Sequence, residues 1–195
     1  KVAYSRLTDN NPNLLSFTEI VKVMDMSPRY FSGLLDYKAD EKLAKKLGIG
    51  AGEEAVHIYR VRGTDDEPVS INDSYLPGKI LGEQGAELLL DGESIYENLK
   101  RHYHIAVTEV KEEIWQFGGK YEAETLDVEE NAPLLAFERE SYSQEGTLVE
   151  YSKVIYRSDR YRHAVVMEEE RNEVGIVDRA KKVVVIGDVF ADMII

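Results

Sequence analysis

The chain has 195 residues, 43% of them hydrophobic, and 24 basic against 37 acidic side chains give it a formal charge of −13. That much apolar material can build a core, which excludes wholesale disorder, and a surface this acidic repels a phosphate backbone, so these residues are not expected to form a DNA-reading surface. There is no cysteine, which excludes disulfides, thiol catalysis and zinc–thiolate sites together.

No apolar run approaches the roughly 18 residues of a membrane helix. The opening Lys1-Val2-Ala3-Tyr4 has neither an h-region nor an initiator methionine, so it reads as the cut end of a longer cytoplasmic protein rather than a signal peptide. Residues 1–14 form a polar arm or linker. Ser16, with Glu19 three positions on, has the capping-box arrangement and heads a short helix carrying Phe17, Ile20, Val21 and Met24. Ala39, Leu43, Ala44 and Leu47 repeat at helical spacing over residues 38–47, and Gly48 stops that helix. The glycines of Gly48-Ile49-Gly50-Ala51-Gly52 imitate a phosphate-binding loop, but they follow a helix and not a strand, so they read as a stop and a turn.

Strand-like runs at 55–63 and 69–76 flank Thr64-Asp65-Asp66-Glu67-Pro68 and predict a hairpin. Short helical pieces follow at 85–90 and 94–101, the second capped by Ser94 with Glu97 at its third position. Residues 107–117 alternate as a long strand ended by Gly118-Gly119, and residues 121–126 make a helical turn. A second hairpin joins 134–142 to 147–157 around Gln144-Glu145-Gly146, and 162–167 is a last strand. Hairpins without regular βαβ spacing predict an α+β fold, a mainly antiparallel sheet with flanking helices. Residues 168–180 are a polar linker. After Lys181-Lys182, the run Val183-Val184-Val185-Ile186-Gly187-Asp188-Val189-Phe190-Ala191-Asp192 resembles the opening strand of ribokinase-like sugar kinases, and fits a plain terminal strand equally well.

Arg60 and Arg62 stand two apart on a strand, so their side chains leave one face about 6.6–7 Å apart. Their planar forks suit phosphate or carboxylate; a salt-bridged strand face would use the same pair. Ser94 offers a hydroxyl and the open N–H groups of a helix start to an anion, and it serves as an N-cap at the same time. Glu150, Ser152, Val154 and Tyr156 share one parity. Carboxylate, hydroxyl, apolar spacer and phenol on one face suit a polyol or amino sugar, while an ordinary half-exposed strand would pair Glu150 with a lysine or arginine. Arg157, Asp159, Arg160 and Tyr161 look architectural, with Asp159 accepting hydrogen bonds in a turn. His102 and His104 lack a third ligand nearby in sequence, so no metal is expected. No cofactor loop or nucleophile motif is present either.

Several blocks recur in a fixed order. They are Arg60-Val61-Arg62, Glu67-Pro68 with Ser74-Tyr75-Leu76-Pro77, Ser94-Ile95-Tyr96-Glu97-Asn98-Leu99, Glu122-Ala123 with Leu126-Asp127-Val128, Pro133-Leu134-Leu135, and Tyr151-Ser152-Lys153-Val154-Ile155-Tyr156-Arg157-Ser158-Asp159-Arg160-Tyr161. Their register resembles the UTRA (UbiC transcription regulator-associated) effector-binding domain of GntR-type regulators of the HutC branch, over residues 15–167. The resemblance implies a chorismate lyase-like fold and a sensor rather than an enzyme. It implies that Arg60, Arg62 and Ser94 hold the anionic group of an effector with Tyr96 close by, and that Glu150 and Tyr156 contact the rest of it. It further implies a homodimeric repressor whose operator DNA is read by a winged helix-turn-helix domain upstream of Lys1, with effector binding shifting operator affinity. A sugar phosphate or amino-sugar phosphate is the favoured small anionic effector. Two alternatives stay open: a chorismate lyase-like elimination using Arg60, Arg62 and Glu150, and a regulatory domain fused to a C-terminal sugar kinase.

Overall fold

Two long hairpins supply the frame. β4 (Glu54–Thr64) turns into β5 (Glu67–Pro77), and β7 (Leu134–Ser143) turns into β8 (Leu148–Arg157), with Gly146 at φ 74° in the second turn, a conformation that favours glycine. The computed structural model describes residues 7–9, 28–30, 35–64, 67–82, 87–89 and 94–163. The Ser16 helix, the linker at 168–180 and the run at 183–192 lie outside them.

β8 pairs with β5 as well as β7, which fuses the two hairpins into one sheet of order β2-β4-β5-β8-β7-β6. β2 (Pro28–Tyr30) and β3 (Leu35–Lys38) both pair with β4, and β6 (Val107–Phe117) forms the far edge. Every pairing in this seven-stranded sheet is antiparallel. The fold is α+β, as the hairpin spacing predicts. A separate parallel pair joins β1 (Leu7–Asp9) to β9 (Tyr161–His163). Among the described residues the last strand is Tyr161–His163, while 164–167 lie outside them, and Leu7–Asp9, within the stretch that reads as a polar arm, is a strand.

Helix α1 (Glu41–Leu47) begins later than its apolar spacing predicts. Asp40 holds an extended conformation and its carboxylate accepts from the Leu43 N–H at 2.8 Å, so the cap sits at Asp40 while Lys38 remains the end of β3. Gly48 closes the helix at φ 65°. The helical piece expected over residues 85–90 is, among the described residues, a 3₁₀ turn at Glu87–Leu89. Helices α2 (Ile95–Tyr103) and α3 (Lys120–Thr125) are the other α-helices among the described residues, and no helix among them is long and apolar enough to cross a membrane.

The register decides what each face carries. Arg62 stands opposite Ser70, and Ser70 opposite Tyr156; Ser74 stands opposite Ser152, and Ser152 opposite Arg139; Glu150 stands opposite Ser141. Residues directly opposite share a face, so these side chains line one side of the sheet. Two apolar clusters bracket them there. At one end, Ile95 and Leu99 of α2 pack on Val56, Ile58, Leu76, Leu81, Leu89 and Val149. At the other, Phe137, Val154, Tyr156 and Tyr161 pack with Val69. The opposite side of the sheet is apolar under α3 through Val61, Ile71, Leu126, Ala136 and Ile155, and under α1 through Leu43, Ala44, Leu47 and Ala55. The polar band between two sealed ends is where a site can form.

Candidate functional site

A pocket of about 380 Å³, counting the open solvent at its mouth, lies in that band. Its floor comes from four adjacent strands: Arg62 of β4, Asn72 and Ser74 of β5, Glu150, Ser152 and Val154 of β8, and Arg139 of β7. Its wall is the start of α2, with Ser94, Ile95 and Tyr96. Strand alternation puts the floor residues on one side. The apolar clusters keep α2 seated on the sheet, so the helix start faces the floor.

Ser94 is both a lining residue and a cap. Its hydroxyl accepts from the Glu97 N–H at 3.4 Å, and the side chain is buried at 3% exposure. The first turn of α2 thus presents backbone N–H groups and a partial positive charge toward the pocket. Arg62, 4% exposed, contributes a full positive charge from the floor.

Arg139 contributes a second. Its Nε donates to the Glu112 carboxylate on the neighbouring strand β6, and its guanidinium lies over the Phe137 ring, 5.5 Å from the centroid. Burial works against this charge, but the carboxylate of Glu112 offsets it and holds the guanidinium firmly protonated.

Next to Arg139, which with Ser141 faces Ser152 and Glu150 across β7 and β8, runs a hydrogen-bonded chain. The Ser141 hydroxyl donates to Oε2 of Glu150 at 3.2 Å. That leaves the Ser141 oxygen as acceptor for the Tyr96 hydroxyl, 2.9 Å away. Desolvation, reinforced by the charge of Glu150, pushes the Tyr96 hydroxyl far above its usual range, so it stays a donor. A carboxylate only 4% exposed and ordered by a serine is suited to accept protons from hydroxyl or ammonium groups.

Of the residues read from the sequence as ligand contacts, the fold brings Arg62, Ser94, Tyr96 and Glu150 to one pocket. Arg60 does not line it; its Nη2 donates to the Leu89 carbonyl. Tyr156 does not line it either. Its ring stacks on Tyr161 at 3.8 Å and meets Phe137 edge-on at 5.3 Å. Arg139 escapes sequence reasoning because it sits between Glu138 and Glu140, where an arginine reads as a surface ion-pair partner. The one available signal is its shared parity with Phe137 and Ser141.

The Tyr161 end is architectural. Arg157 donates to both Asp159 oxygens at 3.1 and 2.9 Å and to the carbonyls of Pro68 and Leu126 at 3.3 Å. Arg160 pairs with Glu67. Together they staple the end of β8 to the start of β5.

A model of the UTRA domain matches residues 34–162, which span all the pocket residues and every strand of the seven-stranded sheet but β2. The chain belongs to the UTRA domain family. This UTRA chain is 36% identical over 152 residues to the HTH-type transcriptional repressor NagR of Bacillus subtilis, covering 76% of the chain and 61% of that protein. It is 29% identical over 162 residues to the HTH-type transcriptional repressor PhnF of Mycolicibacterium smegmatis, covering 82% and 65%. It therefore spans somewhat less than two thirds of the length of these curated relatives. The crystal structure of PhnF from Mycobacterium smegmatis superposes with a TM-score of 0.76 at 27% identity, over 86% of this chain and 74% of that one. That of the PhnF effector domain gives 0.73 at 27% identity, over 83% and 99%.

Proposed function

We propose that this UTRA domain is the effector-sensing part of a HutC-type GntR regulator, binding a small anionic metabolite that changes how the whole protein holds its operator DNA. The observation that carries the reading is that Arg62, Arg139, Glu150 and the capped start of α2 at Ser94 line one pocket. Two guanidinium forks and the open N–H groups of a helix start on one lining suit an anion.

Arg62, Arg139, Ser94 and the N–H groups of α2 take the anionic group. Glu150, ordered by Ser141 and Tyr96, takes hydroxyl or ammonium protons, and Asn72, Ser74 and Ser152 offer further polar contacts. A sugar phosphate or amino-sugar phosphate satisfies both sets of contacts. Arg60 and Tyr156 serve the same site from behind, one fixing the turn before α2 and the other filling the floor beyond Val154. The kinship with named transcriptional repressors favours a regulator over an enzyme, acting as a cytoplasmic homodimer with a DNA-binding domain elsewhere in the full protein.

A thermal-shift screen of sugar phosphates, phosphonates and organic acids tests the reading. A true effector at about 100 times its dissociation constant stabilises the fold by about 2.7 kcal/mol. If phosphate-free sugars shift the melting point as much as their phosphates, the anion assignment is wrong.

A further inference from the structure

We propose that Arg139 offers its guanidinium to an anion at this pocket and that Glu112 is a built-in competitor for it, weakening anion binding there. The proposal rests on the sensor reading and adds the device that sets its strength.

The register is the starting point. Glu112 stands directly opposite Arg139 across β6 and β7, and its carboxylate takes the Arg139 Nε–H. The two side chains are 20% and 18% exposed, so water screens the pair far less than it would at the surface. Yet Nε–H is one of five N–H donors on the fork, and Arg139 also lines the pocket. One guanidinium therefore faces a resident carboxylate on one side and the ligand volume on the other.

An anion entering beside Arg139 meets a charge that is already partly answered. It gains less from Arg139 than from an arginine with no carboxylate in contact, and it feels the repulsion of Glu112 through a poorly screened medium. Glu112 also has somewhere to turn. Its other oxygen lies 3.6 Å from Nε2 of His163 on β9, the strand paired with β1. An ion pair serving stability alone would not need its arginine on the pocket lining.

The sign of one substitution separates competitor from support. If Glu112 merely holds Arg139 in place, Glu112→Gln weakens binding; if it competes, the same change tightens it. Calorimetric titration of the 195-residue chain with inorganic phosphate and glucosamine 6-phosphate, with glucosamine as the uncharged-anchor control, reads this directly. Glu112→Gln is expected to tighten both phosphate-bearing probes by roughly 3- to 10-fold and leave glucosamine unchanged. Arg139→Met is expected to weaken the phosphate-bearing probes by about 10-fold or more. If the glutamine variant does not fold, Glu112→Met removes the same charge and its sign decides equally. Unchanged or weaker phosphate binding in the Glu112 variant, with Arg62 still required, overturns this proposal alone. A wild-type chain that binds neither phosphate-bearing probe overturns it together with the sensor reading.

Discussion

Arg60 donates from Nη2 to the Leu89 carbonyl, and both residues are buried, at 3% and 0% exposure. The bond ties strand β4 to the 3₁₀ turn that precedes the α2 start. Its neighbour two positions on, Arg62, lines the pocket instead. Arg60→Ala strands a buried carbonyl, so a loss of about 1–3 kcal/mol in stability is expected, with affinity falling only as the α2 start loosens. Arg62→Ala is expected to act mainly on binding, losing roughly 10- to 150-fold in affinity for a phosphorylated ligand, from one charge-assisted bond of about 1.5–3 kcal/mol. Paired melting curves and titrations check this. An Arg60→Ala variant that melts normally and binds poorly would make Arg60 a ligand contact.

Glu150 is buried and receives the Ser141 hydroxyl, and under the sensor reading it faces the hydroxyl or ammonium groups of the ligand. Glu150→Gln keeps the shape and loses the acceptor strength of a carboxylate. The expected result is a changed preference between amino and hydroxyl sugars, with dependence on the phosphate retained. Titration of the variant with an amino-sugar phosphate and its hydroxyl counterpart gives the ratio; an unchanged ratio would remove Glu150 from the contact set.

Tyr156 lies between Tyr161 and Phe137 in the cluster that seals one end of the polar band. Removing a buried aromatic ring costs about 3–5 kcal/mol, so Tyr156→Ala is expected to lower the urea midpoint sharply. Lost affinity without lost stability would instead put the ring against the ligand.

The Arg157 guanidinium, by hydrogen bonding first and by charge second, holds the Asp159 carboxyl below its ordinary value. A depressed folded-state value means that this contribution is present above the unfolded value, about 3.9, and is lost as pH falls through the folded one. Asp159 is 58% exposed, so solvent screens the pair and the effect is small. Melting curves from pH 7 to pH 2 should show Asp159→Asn losing a little stability near neutrality and converging on wild type in acid. Equal gaps at both ends of the range would show that the carboxylate charge is not the cause.

The features that local chemistry sets were legible in the sequence. Alternation and Gly118-Gly119 bound β6 at Val107–Phe117, the glycine turn at Gly146 announces the second hairpin, and Ser94 with Glu97 announces the α2 cap. Parity also assigns Glu150, Ser152, Val154 and Tyr156 to one face, but parity gives no depth. Nothing in the spacing says that Tyr156 is roofed by Tyr161 while Glu150 is left lining the pocket. Arg139 was hidden for a different reason. Its place depends on β8 slotting between β5 and β7, a pairing of residues some eighty positions apart, and one sequence holds no trace of such a register. The three-residue strands β1, β2 and β9 are too short to show any period.

The parallel pair of β1 and β9 has a mechanical meaning. Leu7 lies beside Tyr161 and Asp9 beside His163, so the earliest and latest described strands run side by side in the same direction. A pull between the residue before Leu7 and the residue after His163 would load that pair along its length. Its slanted bonds would then be sheared together, not peeled one by one. Tension transmitted through the chain would thus meet its first resistance at this clasp, before the seven-stranded sheet bears any load.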